Sequence, residues 1–175
     1  MSGSAAVHSL EDPFGFARAA GQYSGQAAVA SLARLQDRLA GDDGTVSFAV
    51  RGGHDQHDRP LLELEIAGSL RLRCDRCLAP LDYPLALHSR VLLVHPGELR
   101  QDDDDPEAPE WIEAGPELDL LELVEDEILL GLPLSVRHGP ENCSSGKSGI
   151  DRAGAADSPF AGLASMLEPK RSNKR

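Results

Sequence analysis

Residues 117–143, ELDLLELVEDEILLGLPLSVRHGPENC, contain the best-specified helix in the sequence. Asp119 is a good N-cap because its carboxylate can accept hydrogen bonds from the free N–H groups of the first turn. Glu122 stands three residues later, which completes a capping box. Gly131 can adopt the left-handed conformation that closes a helix, and Pro133 prevents the helix from resuming. The stretch therefore predicts a helix that is capped at both ends.

The predicted helix, residues 119–130, is apolar on one face and acidic on the other. Apolar residues at spacings of three and four predict a face that packs against a core: Leu120, Leu121, Val124 and Ile128. The acidic face carries Glu122, Glu125 and Asp126, although the helix dipole favours cations toward the C-terminal end. Either this face is solvated, or it meets arginines elsewhere in the chain or a basic partner protein.

Acidic residues are concentrated in one segment of the chain. The 175 residues carry 29 acidic and 17 basic side chains, for a net charge of −12. Residues 101–127 hold 13 of the acidic side chains and no basic one. The rest of the chain therefore contains 16 acidic side chains and all 17 lysines and arginines. The rest of the surface is near neutral, and a local basic patch for nucleic acid is not excluded by the total charge.

Length and composition predict a cytoplasmic protein with no membrane contact. A chain of 175 residues favours one domain with tails. No apolar run approaches the length of a membrane span, and the first 14 residues lack the basic and apolar regions of a signal peptide. Three cysteines, two of them in a CxxC motif, favour free thiols or a metal site over a disulfide in that compartment.

Alternation of apolar and polar residues predicts an antiparallel sheet. It runs through residues 45–51, 61–67, 69–74 and 81–94, which are joined by short loops. A second amphipathic helix is predicted over Ala28–Leu39 from the spacing of its leucines. We therefore expect an α+β fold, with a mainly antiparallel sheet packed by two or more helices and with flexible N- and C-terminal segments.

Composition divides the chain into four parts. Residues 1–22 are predicted to be a weakly structured N-terminal segment, and residues 23–143 a single α+β domain. Residues 144–157 have little apolar content and are typical of a flexible linker. Residues 158–175 are predicted to form a short apolar helix followed by a basic tail.

Three cysteines and a histidine are spaced in a way that suggests a metal site. CxxC places the thiolates of Cys74 and Cys77 within reach of one tetrahedral ion, and His138 and Cys143 could supply the other pair. Zinc is the candidate cofactor. The alternative is that the cysteines are small half-buried residues at a strand end, with His138 in a surface loop. A redox role is disfavoured because the motif follows a strand rather than opening a helix.

Arginines cluster around the CxxC motif. Arg71 and Arg73 share one face of the predicted strand, and Arg76 lies inside the motif. These side chains could contact phosphates, or they could pair with the acidic helix of the same fold. No aromatic residues are interleaved with them, which disfavours base stacking. The sequence contains no nucleophile elbow, phosphate-binding glycine loop or carboxylate pair with a clear catalytic role, so we expect neither catalysis nor a small-molecule substrate.

Four features stand out together: RCDRCLAPL at 73–81, LDLLELVEDEILLGLPLSVRH at 118–138, Cys143, and SPFAGLAS at 158–165. Together they resemble the YceD-type family, whose members are called large ribosomal RNA subunit accumulation proteins. The sequence departs from the family pattern at Ser158, where the pattern has Asn, and at residues 166–169, which intervene before Lys170. The resemblance implies a role in the synthesis, processing or stability of large-subunit (23S) ribosomal RNA in bacteria. It carries over no catalytic residue.

Two functions are the main alternatives. The first, which the resemblance implies, is a non-enzymatic ribosome-biogenesis factor whose partners are large-subunit ribosomal RNA or its precursor particles. The second is a protein–protein adaptor that binds a basic partner through helix 119–130 without touching RNA. The candidate contact residues are Arg71, Arg73 and Arg76 on the basic side and Glu122, Glu125 and Asp126 on the acidic side.

Overall fold

The computed structural model describes residues 8–98, 109–139 and 141–143. The chain divides into two compact units, Met1–Arg137 and His138–Arg175. The described helices and strands all belong to the first unit. In the second, the amide of Asn142 donates to the Gly139 carbonyl at 3.0 Å, which closes a turn. The predicted linker and C-terminal helix lie outside the described residues.

The described part of the first unit contains seven strands, two α-helices and two short 3₁₀ segments. The strands are β1 (Ser9–Glu11), β2 (Gln22–Ala28), β3 (Thr45–His54), β4 (Pro60–Arg73), β5 (Pro80–Val94), β6 (Glu110–Glu113) and β7 (Glu117–Asp119). The helices are α1 (Pro13–Arg18) and α2 (Leu120–Gly131), and the 3₁₀ segments are Val29–Ser31 and Ala33–Arg38. None of the helices in the described ranges has the length and apolar character needed to cross a membrane.

Five strands form the main sheet in the order β2-β3-β4-β5-β6. Strands β2 to β5 pair antiparallel with their sequence neighbours, whereas β6 runs parallel to β5 at the edge. Strands β1 and β7 form a separate antiparallel pair. The predicted α+β class with a mainly antiparallel sheet is therefore confirmed. The predicted strands 61–67 and 69–74 are one continuous strand, β4, because Gly68 pairs with Leu85 and does not interrupt the sheet. Short connections before and after β4 favour hairpin pairing with β3 and β5, whereas the sequence does not predict β2.

The core lies between the apolar side of the sheet and the helices. Along β4, Leu70 and Leu72 are buried while Arg71 and Arg73 between and after them are exposed, as the period of two requires. Val124 and Ile128 of α2 are fully buried in the same core, which confirms the predicted apolar face of the helix.

The predicted helix over Ala28–Leu39 is wrong in type. Its first residue ends β2, and the two 3₁₀ segments follow, with Leu32 between them and Leu39 after the second. Leu32, Leu35 and Leu39 are nevertheless buried, as their spacing predicted, whereas Ala28 is exposed. The non-helical ψ of 85° at Leu32 divides the stretch, so no continuous helix forms.

The segment predicted to be weakly structured contains β1 and α1 in its described part. Asp12 caps α1, because its Oδ1 accepts from the Gly15 amide at 2.8 Å. The helix packs closely on β3, and a Cβ at Gly52 would lie 2.5 Å from the Phe16 carbonyl oxygen. Ala17 is completely buried by this contact. Glycine is required at position 52 by proximity of the two backbones.

Helix α2 begins as predicted and ends differently. The Asp119 carboxylate accepts from the amides of Leu121 and Glu122 at 2.7 and 3.1 Å. Gly131 does not take the predicted left-handed conformation; it is the last helical residue and the cap is extended. Glycine at position 131 instead allows close packing, because a Cβ there would lie 2.6 Å from Cδ2 of Leu87.

Candidate functional site

A tight loop at the end of β4 presents the first two cysteines. The Leu78 amide donates to the Cys74 carbonyl at 2.8 Å, and the Cys74 amide donates to the Ala79 carbonyl at 3.0 Å. Leu78 takes a left-handed φ of 62°, which turns the chain back into β5. Cys74 is buried and Cys77 half-buried, so both lie at the boundary of the core.

The chain that follows α2 is bonded to this loop in both directions. The Asp75 amide donates to the Val136 carbonyl at 2.8 Å, and the Val136 amide donates to Oδ2 of Asp75 at 2.7 Å. Val136 is 4% exposed, so it is anchored by burial as well. This double contact fixes the chain two residues before His138.

Four side chains form a cluster that could bind a metal such as zinc. They are Cys74, Cys77, His138 and Cys143, and one ligand atom from each lies within 4.8 Å of the others. Three sulfurs and one imidazole nitrogen form a donor set found in structural zinc sites. The cluster contains the four residues that the sequence suggested as ligands. The donor chemistry therefore fits a zinc ion.

The acidic face of α2 meets an arginine from the 3₁₀ segment Ala33–Arg38. Arg34 places its Nε 3.1 Å from Oε2 of Glu125, pairs through Nη1 with Asp126, and donates from Nη2 to the Glu122 carbonyl at 3.0 Å. Hydrogen bonds to Asp126 and then to Glu125 raise the pKa of Arg34 above its ordinary value. The structure therefore favours one of the alternatives that the sequence left open, an arginine elsewhere in the chain.

Glu125 has a second role in the same contact. Its Oε1 accepts from the backbone amides of Arg34 and Leu35 at 2.6 and 3.2 Å. These are the first N–H groups of the 3₁₀ segment, which have no partner within the segment itself. Glu125 is only 7% exposed, so its carboxylate serves the interior of the protein. Glu122 remains exposed, and Asp126 is half-exposed.

The three predicted arginines lie at the end of the sheet beside the cysteine loop. Arg71, Arg73 and Arg76 are all exposed. Nη2 of Arg73 donates to the Leu39 carbonyl at 3.2 Å, and the Ala40 amide donates to the Arg71 carbonyl at 2.7 Å. The sequence did not identify Arg34, Arg38 and Arg137 as site residues. Only tertiary contacts bring Arg34 to the acidic face of α2, and Arg38 and Arg137 to the end of the sheet beside the cysteine loop.

The fold and the cluster define a class: an α+β protein with a mainly antiparallel sheet and a Cys₃His set of candidate metal ligands. A family described as "Large ribosomal RNA subunit accumulation protein YceD" matches residues 62–167. The protein of that name from Haemophilus influenzae is 32% identical over 138 residues, which covers 75% of this chain and 76% of the relative. No solved structure matches the chain. The chain belongs to the YceD family, as the resemblance predicted.

Proposed function

We propose that this chain is a non-enzymatic ribosome-biogenesis factor that supports the synthesis, processing or stability of 23S ribosomal RNA. The observation that carries the proposal is the family match over residues 62–167, because the family is named for accumulation of the large-subunit RNA. The matched span includes Arg71, Arg73 and Arg76, which we propose as contacts to the RNA or its precursor particles.

We further propose that the cysteine–histidine cluster holds a structural zinc ion. Cys74, Cys77, His138 and Cys143 would supply all four ligands, which leaves no open position for a catalytic water. When bound, the ion would cross-link the cysteine loop to the chain that follows α2. The Asp75–Val136 hydrogen bonds favour this role because they hold Val136, two residues before His138, against the loop.

The adaptor function is the second candidate, and the Arg34 contact weakens its support. A basic partner would have to bind through Glu122, Glu125 and Asp126. Glu125 is buried, and Arg34 already pairs with both Glu125 and Asp126. Glu122 is exposed, and Arg34 bonds to its backbone carbonyl rather than to its carboxylate. Of the three carboxylates, only that of Glu122 is both exposed and outside the Arg34 contact, so this face of α2 has little free charge to offer a basic protein.

Deletion of the encoding gene tests the biogenesis proposal. We expect the ratio of mature 23S to 16S RNA to fall, and to recover when the wild-type chain is restored. Affinity purification followed by sequencing of bound RNA should recover 23S sequences. An unchanged 23S-to-16S ratio in the deletion strain would overturn the proposal. Purified protein should leave labelled 23S fragments intact with and without divalent metal; specific cleavage would contradict the non-enzymatic assignment.

A double variant separates the two candidate functions. Glu122→Gln with Asp126→Asn removes acidic charge from α2 and leaves the buried Glu125 in place. If the protein contacts RNA, this change should leave RNA binding unaffected or strengthen it, because two charges that repel phosphate are gone. If the folded variant instead loses 23S accumulation in cells, the acidic face docks a protein partner and the adaptor function is favoured.

A further inference from the structure

The described arginines fall into two groups by their partners. Five form ion pairs with carboxylates within 4.0 Å: Arg18, Arg34, Arg51, Arg59 and Arg90. The other five make no such pair with any residue that the structure describes: Arg38, Arg71, Arg73, Arg76 and Arg137. These five are called the arginine surface below, and no carboxylate of the described ranges lies within 4.0 Å to neutralise their charge.

Three of these arginines surround one backbone contact. Leu39 and Leu72 form an isolated antiparallel bridge. Arg71 and Arg73 flank Leu72 in the chain, and Arg38 precedes Leu39. The bridge therefore places the end of the 3₁₀ segment beside the end of β4. Arg38, Arg71 and Arg73 consequently lie near one another, at the end of the sheet that is called the edge below.

The remaining two arginines join the same edge through the chain that follows α2. Arg76 follows Asp75, and Arg137 follows Val136; Asp75 and Val136 are bonded to each other in both directions. Nη2 of Arg38 also lies 3.4 Å from the Pro133 carbonyl oxygen. Backbone contacts thus connect residues 38–40, 71–76 and 133–137, which carry the five arginines.

Neutral acceptors hold three of the guanidinium groups. Arg38 donates to the Pro133 carbonyl, Arg73 to the Leu39 carbonyl, and Nε of Arg137 to the Ser135 hydroxyl at 2.9 Å. Such an acceptor orients the group without cancelling its charge, and it uses one of five N–H donors. The donors that remain are suited to bidentate contact with phosphate oxygens.

The described acidic groups at this edge are fewer than the arginines. Asp37 is exposed beside Arg38, and Asp82 lies opposite Arg71 in the register of β4 and β5. Asp75 is exposed, and its Oδ2 accepts from the Val136 amide. Asp42 is exposed next to Gly41, where a Cβ would lie 3.5 Å from Cδ of Arg71. Five positive charges therefore lie near four described acidic residues, in a protein whose net charge is −12. The edge is locally basic and complementary to a polyanion.

We propose that the arginine surface binds the phosphate backbone of double-helical RNA. This inference rests on the proposed function and specifies the form of RNA. Proteins that bind single strands combine positive charge with stacking aromatic side chains. Residues 38–40, 71–76 and 133–137 contain no aromatic residue. Double-stranded RNA is recognised through phosphates and 2′-hydroxyls without stacking, which is the chemistry that these arginines offer.

Fluorescence anisotropy tests the proposal with a labelled RNA duplex of about 16 base pairs and a single strand of the same sequence. The test variant is Arg38→Gln/Arg71→Gln/Arg73→Gln. The matched control, Arg18→Gln/Arg51→Gln/Arg90→Gln, removes the same charge from arginines that pair with carboxylates. Thermal unfolding checks that each variant is folded.

We expect the wild-type protein to bind the duplex more tightly than the single strand. The test variant should reduce the slope of log K against log salt by roughly 2–3, since each phosphate that an arginine no longer neutralises lowers the slope by about 0.7–0.9. The control should keep the wild-type slope. Arg38→Lys/Arg71→Lys/Arg73→Lys should retain most of the slope, because the charges remain.

Tighter binding of the single strand, or an equal loss of slope in the control, would overturn the proposal. Absence of duplex binding by the folded wild-type protein would also overturn it, while reduced 23S RNA in the deletion strain would leave the proposed function standing. Conversely, normal 23S RNA in the deletion strain would remove the proposed function, whatever the anisotropy shows. The two failures are therefore distinguishable.

Discussion

Arg34 and Glu125 are 91 residues apart in sequence and are joined by both backbone and side chain. The Arg34 amide donates to Oε1 of Glu125 at 2.6 Å, while Nε of the same arginine donates to Oε2 at 3.1 Å. One carboxylate thus caps the 3₁₀ segment and forms an ion pair with it. The contact fixes the position of α2 against the strand-connecting segment in front of β3.

The two partners should contribute unequally to stability. The Glu125 side chain is 9% exposed and the Arg34 side chain 43% exposed. Glu125→Ala leaves the buried Leu35 amide and the Arg34 amide without their acceptor, and should lower the free energy of unfolding by about 2–4 kcal/mol. Arg34→Ala leaves those two backbone hydrogen bonds in place and removes only a solvent-screened ion pair, so it should cost less than Glu125→Ala. Urea unfolding measures both, and equal losses would contradict the capping role.

Ile128 tests the buried face of α2. It is completely buried, and truncation to alanine should cost about 2–5 kcal/mol through lost transfer free energy and the cavity left behind. Leu130, two residues later and 67% exposed, provides a matched control on the same helix. Leu130→Ala should change the unfolding free energy by less than about 0.5 kcal/mol. Similar values for the two variants would show that the helix packs through another face.

The metal cluster predicts a stoichiometric ion in protein purified without chelator. Elemental analysis should find about one zinc per chain, and Cys74→Ser should abolish it because a thiolate ligand is lost. His88→Ala removes an exposed imidazole on the sheet and should leave the zinc content unchanged. Chelation should lower the midpoint of thermal unfolding in the wild type and in His88→Ala, but not in Cys74→Ser, which has no zinc to lose. Metal-free protein with unaltered thermal stability would rule out a structural zinc.

Asp55 makes the hairpin between β3 and β4 sensitive to acid. Burial alone would raise its pKa, but N–H donors of Arg59 and His57 outweigh burial and lower the pKa of Asp55 to about 2. Because the folded-state pKa lies below the ordinary value of 3.8, its stabilisation is present above about pH 4 and is lost as the pH falls toward 2.

Replacement of Asp55 should therefore show a defined pH dependence. Asp55→Ala should destabilise the protein by about 1–3 kcal/mol near pH 7, and the difference from wild type should shrink as the pH falls below about 4. Asp43→Ala, in the exposed loop before β3, is the matched control that removes one carboxylate without touching this hairpin. Thermal unfolding across the pH range measures both. A difference that grows on acidification would contradict the depressed pKa.

Local patterns determined strands β3 to β5, the start of α2 and the candidate metal ligands. A period of two along β3 to β5 specifies which side chains face the core, whatever elements pack against that side of the sheet. Asp119 needs only the amides of the next turn, so its cap could be predicted from neighbouring residues. The cysteine spacing and the family motifs are likewise contained in short stretches of sequence.

Tertiary structure decided the features that depend on distant residues. Position 131 requires glycine because Leu87 packs close to its Cα, and not because the backbone takes a left-handed φ there. The segment after β2 forms 3₁₀ turns rather than an α-helix. No local sequence pattern predicts that Arg34 pairs with α2. Nor does any local pattern predict that Arg38 and Arg73 donate to neutral backbone carbonyls rather than to carboxylates. An ion pair depends on where two chain segments meet, and that position results from burying the whole core at once. Which charges are neutralised, and which stay available to a partner, is therefore a property of the packed fold.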